Sequence, residues 1–257
     1  VVIAITINLR PFLTAIGPLG HTIQNATGMS LSQLSWLTLL PMALMGVGAW
    51  IAPSALQKLG ARNAICGSLL LIALGCALRM QGGNAAVLLA TAALCGAGVA
   101  LIQGILPGAI KRESPRHVAQ MMGLYSCALM GGGAFGAQVS PLAVQWGWDW
   151  RAALALWTVP VLIALPLAWF AFGKIQRYQA NSAISQAAAP SNDTRWLIRR
   201  PRTWTLMACF GLVNGGYAAV VAWLAPYYQT HGWSAASSGM LVAILSVAQA
   251  AAALTLP

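Results

Sequence analysis

Arg10 lies at the centre of an apolar stretch, residues 1–19. A charged side chain at the middle of a bilayer costs about 2.5–3.5 kcal/mol even on the more lenient insertion scale, so such a residue needs a partner. The chain has three acidic residues, Glu113, Asp149 and Asp193, and each falls in a short polar segment between apolar runs. Backbone carbonyls with water, or a bound ligand, are then the remaining partners for Arg10. The sequence favours the ligand and predicts a site for a small anion.

Two threonines accompany Arg10 at helical spacing. Thr6, Arg10 and Thr14 stand at i, i+4 and i+8, which places them on one face of a continuous helix. A guanidinium supplies charge and a fork of donors to an anion, and two hydroxyls complete the shell. The structural alternatives are an Arg10 that binds backbone carbonyls released by Pro11 or Pro18, and threonines that bond their own helix.

The later apolar runs supply weaker candidates for the same site. Asn214 and Tyr217 are i, i+3 neighbours on one helix, and could face the first helix across a central cavity or simply form interhelical hydrogen bonds. Gln103, Tyr125 and Gln138 are further polar residues inside apolar runs. The predicted binding set is therefore Arg10, Thr6, Thr14, Asn214, Tyr217, Gln103, Tyr125 and Gln138.

The composition indicates a membrane protein. Hydrophobic residues make up 59% of the chain and charged residues 7%, whereas a soluble domain carries about 25% charged residues. The net charge of +11 does not indicate nucleic-acid binding, because the basic residues are divided among the segments between apolar runs. The five cysteines form no C-x-x-C motif, and the apolar runs contain no Asp, Glu or His, so we expect no metal, no cofactor and no enzymatic site.

Runs of about 20 apolar residues predict an all-α membrane protein with eight spans, the last one cut by the end of the sequence. They lie near residues 1–19, 35–56, 64–80, 85–110, 118–143, 151–173, 203–227 and 235 onward. Of the fourteen Lys and Arg, eleven fall in segments 57–63, 111–117 and 174–202, and two, Arg79 and Arg151, in the alternate segments. This asymmetry predicts a cytoplasmic N-terminus.

A loose internal repeat predicts the domain organisation. Residues 28–35 (GMSLSQLS) are echoed about 204 residues later by residues 232–239 (GWSAASSG). The period fits two six-helix bundles repeated in parallel. We expect a first bundle at 1–173, a cytoplasmic linker at 174–202 and the start of a second bundle at 203–257. Because the sequence begins with Val and stops inside an apolar run, we expect a fragment, with an inactive truncated product as one alternative.

Several segments resemble the cyanate permease and 2-nitroimidazole transporter family of the major facilitators. They are residues 8–19 (NLRPFLTAIGPL), 106–112 (LPGAIKR), 122–133 (MGLYSCALMGGG) and 211–224 (GLVNGGYAAVVAWL). The loop at 59–63 (LGARN) lacks the acidic residue of the usual facilitator signature, which puts a salt-bridge switch there in doubt.

The resemblance implies a major facilitator fold and a secondary transporter that works by alternating access. Its implied substrate is cyanate, bound with Arg10 in the central site, and the alternative is export of nitroimidazole-like or other small organic compounds. It also implies a multi-pass protein of the bacterial inner membrane, active as a monomer. The sequence names neither the coupling ion nor the direction of transport.

Overall fold

The described part of the chain consists of helices joined by short non-helical segments. A computed structural model describes residues 1–183 and 200–255, and neither range contains a strand. A 3-10 turn at Arg79–Gln81 follows the longest helix. The helices are α1 (Val2–Thr6), α2 (Pro11–Thr14), α3 (Ile16–Thr27), α4 (Leu31–Leu78), α5 (Ala85–Glu113), α6 (Val118–Gln145), α7 (Trp150–Ala155), α8 (Thr158–Ala183), α9 (Pro201–Thr230) and α10 (Ala235–Thr255).

The all-α membrane architecture predicted from composition is confirmed. Within the described residues, seven helical segments are long and apolar enough to cross a membrane, and the bent first segment makes an eighth when it is taken as one span. The helix α4 contains two of these spans, Leu31–Gly48 and Trp50–Gln81, and Gly60 (φ 75°, ψ 162°) interrupts the helical backbone within the second. This φ is one that a residue with a Cβ rarely adopts, which explains the glycine at the turn.

The expectation of one continuous first helix over residues 1–19 is wrong. The helix α1 ends at Thr6 and α2 begins at Pro11. The two parts Val2–Thr14 and Ile16–Thr27 meet at an angle of 43°. Proline has no backbone N–H, so Pro11 cannot donate to the carbonyl of Ile7, and the helical ladder breaks there.

The two segments of the internal repeat form matching helix corners. Gly28 (φ 68°) and Gly232 (φ 86°) both adopt the left-handed conformation that ends a helix. Two residues later, Ser30 and Ser234 accept hydrogen bonds from the backbone N–H groups of Gln33 and Ser237. Each serine thus caps the next span, α4 or α10, in the same way.

Close helix contacts set the position of the first span. The first half of α4 packs against α5, where Gly48 lies against Ala100 and Gly96 against Pro41. On the other side, α6 packs along both α1–α2 and α10. The buried core of the bundle is built from Ile5, Leu9, Phe12, Leu13 and apolar residues of α4, α5, α6 and α8.

The predicted linker lies mostly outside the described residues. The backbone of α8 continues to Ala183, ten residues beyond the predicted end of the span, and α9 begins at Pro201. Residues 184–199, which include Asp193, are outside the described part of the chain.

Candidate substrate-binding site

Arg10 sits at the break in the first span. It is the residue that precedes α2, and its side chain is only 7% exposed. The two acidic residues in the described ranges lie away from the middle of any span, since Glu113 is the last residue of α5 and Asp149 caps α7. Asp149 forms its ion pair with Arg151, at 3.6 Å. Arg10 is therefore a buried cation without a carboxylate partner in the described membrane segments.

The guanidinium of Arg10 faces the seventh span. Its Cζ atom lies 4.9 Å from the centre of the Tyr217 ring, so the cation stacks on the aromatic face. Two buried polar atoms of this pair, Arg10 Nε and the Tyr217 hydroxyl, have no hydrogen-bond partner among the described residues. Buried polar groups normally find partners, so this contact with two unmatched atoms is the candidate site.

The structural alternative for Arg10, an arginine that binds a backbone carbonyl near Pro11, describes a different residue. The side chain of Arg79 is 1% exposed, and its Nη1 donates to the carbonyl oxygen of Phe12 at 2.8 Å. An arginine thus does bind backbone near Pro11, but it comes from the end of the third span. Sequence reasoning assigned Arg79 to a connecting segment, where its charge served only to set the topology.

The two predicted threonines use their hydroxyl protons within the protein. Thr6 Oγ1 donates to the carbonyl of Val2 in its own helix at 2.9 Å. Thr14 Oγ1 donates across to the carbonyl of Gly133 in α6 at 2.8 Å. Each hydroxyl has one proton to give, so in this conformation neither offers a donor to an anion. Their part in substrate binding stays a prediction. In this conformation Thr6 bonds its own helix and Thr14 connects α2 to α6.

The remaining predicted residues, Tyr125, Asn214, Gln138 and Gln103, differ in how deeply they are buried. Tyr125 is buried in the core of the bundle. Asn214 is half-buried, one helical turn before Tyr217. Gln138 lines a cavity of about 460 Å³ with apolar residues of α10, and its Oε1 atom has no partner among the described residues. Gln103 is half-buried on α5.

Ser246 of α10 lies beside the site, and sequence reasoning did not identify it. A Cβ placed on Gly133 would lie 3.6 Å from both the Arg10 Cβ and the Ser246 hydroxyl, so α2, α6 and α10 meet at this point. Gln249 follows Ser246 by one turn, and its buried Oε1 atom has no partner among the described residues. The available signal was a polar pair inside the last apolar run, where we had expected only a truncated span.

The described residues contain no cluster of three or more His, Cys, Asp or Glu that could bind a metal ion. What they do contain is a cationic and aromatic pair between the first and seventh spans. The sequence profile of the Major Facilitator Superfamily matches residues 4–256. The chain belongs to the major facilitator superfamily.

Similarity to individual proteins narrows the place of the chain within the superfamily. It is 39% identical to the cyanate transport protein CynX of Escherichia coli, with all of this chain and 65% of that protein covered. It is 32% identical to the 2-nitroimidazole transporter of Escherichia coli, over all of this chain and 63% of that protein. The family resemblance predicted from the sequence motifs is confirmed.

A third relative, the uncharacterized transporter YycB of Bacillus subtilis, is 29% identical over 96% of this chain and 60% of its own length. The chain thus spans 60–65% of the length of these three relatives. It is a multi-pass membrane protein of the major facilitator fold.

Proposed function

We propose that this protein is a secondary transporter of a small monovalent anion, with cyanate as the first candidate. The observation that carries the proposal is the buried Arg10 guanidinium on the Tyr217 ring, with polar atoms of both residues unmatched. The 39% identity to a cyanate transport protein supports the choice of anion. A linear monoanion is small enough for one arginine and a few polar side chains.

We place the site between the two bundles, where alternating access requires it. The outer halves of the first and seventh spans are in contact, since Gln229 Nε2 donates to the Pro18 carbonyl at 2.8 Å. This closed contact supports a conformation that opens toward the opposite end of the two spans, where α9 follows the basic linker.

We infer from the charge asymmetry of the connections that this end lies in the cytoplasm, with the N-terminus on the same side. The proposal therefore includes a bacterial inner-membrane location and an inward-facing state. We propose a monomer as the functional unit, in contact with the lipid bilayer. The coupling ion is left open, because no carboxylate lies within the described spans away from their ends.

Uptake of isotope-labelled cyanate into proteoliposomes tests the proposal. The full-length protein should take up cyanate, and Arg10→Gln should abolish uptake at equal membrane abundance. The matched control is Arg151→Gln, an arginine that is one-third exposed and pairs with Asp149. Loss of uptake in Arg10→Gln alone supports anion binding at Arg10, whereas equal uptake in all three proteins refutes it.

Export of a nitroimidazole-like compound is the second candidate, and the 32% identity to a 2-nitroimidazole transporter favours it. The Tyr217 ring offers a stacking face to a planar heterocycle, and Arg10 could donate to its nitro group. A neutral ligand depends less on the charge of Arg10 than an anion does. Export that survives Arg10→Gln, with no cyanate uptake by the parent protein, would favour this alternative.

A further inference from the structure

We propose that Arg79 is a positioning residue that fixes the break in the first span and thereby sets the location of the Arg10 guanidinium. The inference rests on the proposed function only for the identity of the substrate that Arg10 binds. Its structural content, that Arg79 determines where Arg10 lies, can be tested without a substrate.

The burial of Arg79 demands an explanation. It is the largest fully buried side chain in the described residues, and its Nε atom has no partner there. Burying an arginine inside a membrane bundle without a carboxylate is costly, so such residues usually have a specific role. A residue that only marked topology would extend into water or toward lipid headgroups.

Arg79 binds the segment that carries Arg10. Its Nη1 donates to the Phe12 carbonyl at 2.8 Å, and its Cζ lies 5.7 Å from the centre of the Phe12 ring. Both contacts are to one residue of α2, two positions after Arg10. Since α2 is a single turn, Pro11–Thr14, fixing Phe12 also fixes the backbone of Arg10.

Other polar contacts hold the opposite sides of the break. Before the break, Asn8 Nδ2 donates to the Ala4 carbonyl at 2.7 Å and to the Pro160 carbonyl of α8 at 3.4 Å. After it, Thr14 bonds to Gly133 of α6. The backbone around Arg10 is therefore tied to α8, α6 and the end of the third span. The side chains of Asn8, Thr14 and Arg79 donate their hydrogen bonds to backbone carbonyls, whereas Arg10 Nε has no partner among the described residues.

This division fits a preorganised binding site. A ligand binds more tightly when the group that contacts it is already held in the right place, because less freedom is lost on binding.

Fluorine NMR of protein labelled with 3-fluorotyrosine provides the test. The Tyr217 resonance is identified by its absence from Tyr217→Phe, and its response to the nearby cation is calibrated with Arg10→Gln. If Arg79 positions Arg10, Arg79→Gln moves the Tyr217 resonance toward its position in Arg10→Gln. Arg79→Lys, which keeps the charge but loses the planar fork, moves it part of the way. The control Arg151→Gln leaves it in place.

An unchanged Tyr217 resonance in Arg79→Gln, together with a lower melting temperature, overturns the proposal and leaves Arg79 a purely structural role. If Arg79→Gln does not fold, Arg79→Lys decides, and an unchanged resonance in that variant overturns the proposal equally. Resonance shifts in both variants support it.

Transport kinetics complete the test. For labelled cyanate, Arg79→Lys should raise KM about tenfold with little change in maximal rate, as expected when a variant loses binding to the resting site. If the parent protein takes up no cyanate while the Tyr217 resonance still moves, the choice of substrate fails and the positioning role of Arg79 stands. A normal KM with an unmoved resonance overturns the role itself.

Discussion

At the scale of single residues, the site depends on a contact between a cation and a ring. Because the Tyr217 ring lies 4.9 Å from the Arg10 guanidinium, the aromatic face should hold the cation in place. Such contacts contribute about 0.5–2 kcal/mol, depending on how far they are shielded from water. The hydroxyl of Tyr217 adds a donor for which the described protein provides no acceptor.

We expect Tyr217→Leu to raise KM for cyanate about tenfold, because it removes both the ring and the hydroxyl. Tyr217→Phe keeps the ring, so its KM should rise only a few-fold, by about the worth of one hydrogen bond. The matched control is Tyr227→Leu on the same helix, whose side chain is 59% exposed and packs on Tyr228 and His231. Equal KM values for Tyr217→Leu and the parent would contradict the assigned contact.

Thr14 makes a second residue-scale prediction, this time for stability. Thr14→Val should lower the free energy of unfolding by about 0.6 kcal/mol, the average for hydrogen bonds between membrane helices. Thr14→Ser should keep the bond to Gly133 and lose less. The control Thr27→Val removes a hydroxyl that bonds only the Ile23 carbonyl of its own helix. Thermal unfolding in detergent measures all three, and equal losses for the two valine variants would refute an interhelical role.

At the scale of helices, two glycines allow the first span to contact α6. A Cβ at Gly132 would collide with the Ile7 carbonyl, and one at Gly136 would collide with Pro11 and Thr14. Both contacts are with the segment from Ile7 to Thr14, which includes Arg10. That segment cannot move away from α6 without displacing Arg10. Small residues at four-residue spacing are typical of closely packed membrane helices, and here their spacing matches the break in the partner.

We therefore expect Gly136→Ala to reduce the yield of folded protein and lower its melting temperature. The neighbouring Gly131→Ala is the control, because a Cβ there meets nothing within 4 Å. That variant should be neutral or stabilised by about 0.5–1 kcal/mol, the difference in helix propensity. Size-exclusion profiles and thermal unfolding of both variants provide the measurement. A stable Gly136→Ala would show that α2 can move away from α6 at little cost.

The helices could be predicted from the sequence, but the break could not. Apolar runs located all eight spans, because their length must match the thickness of the bilayer. The spacing of Thr6, Arg10 and Thr14 assumed a continuous helix, and Pro11 removes that continuity by leaving the Ile7 carbonyl without its usual donor. Membrane helices often tolerate proline, so its presence alone did not decide between a bend and a break.

The same limit explains the binding residues that were found and missed. Arg10 could be predicted because a cation in the middle of an apolar run is costly, whatever the fold. Arg79 stands at the end of a run, where an arginine can extend outward to water or inward to the bundle with the same sequence pattern. The Arg79 side chain points into the bundle, where the Phe12 carbonyl of α2 accepts its hydrogen bond. No local sequence spacing encodes that tertiary contact.

At the scale of the whole molecule, one end of the first span packs against α9 and α10. Gly17 packs so closely on α9 that a Cβ there would lie 2.8 Å from the Val221 carbonyl. Gln229 bridges the Pro18 carbonyl and the Ser238 hydroxyl, at 2.8 and 2.9 Å. This contact links α3, α9 and α10, and we expect it to separate when the site opens toward that side.

The direction of that opening depends on topology, which the two ends of α6 can report. His117, which precedes the helix, and Trp146, which follows it, are both exposed, so a cysteine at either position should react with a maleimide. The eleven basic residues in alternate connections predict that His117 is cytoplasmic and that Trp146 is outside. In right-side-out vesicles, an impermeant maleimide should therefore label Trp146→Cys at once and His117→Cys only after permeabilisation.

Background labelling is set by the parent protein, in which Cys209 is exposed and Cys66, Cys76 and Cys95 are buried. The reverse pattern would turn the molecule over, so that the contact between Gln229 and Pro18 would close the cytoplasmic side and Arg10 would face outward.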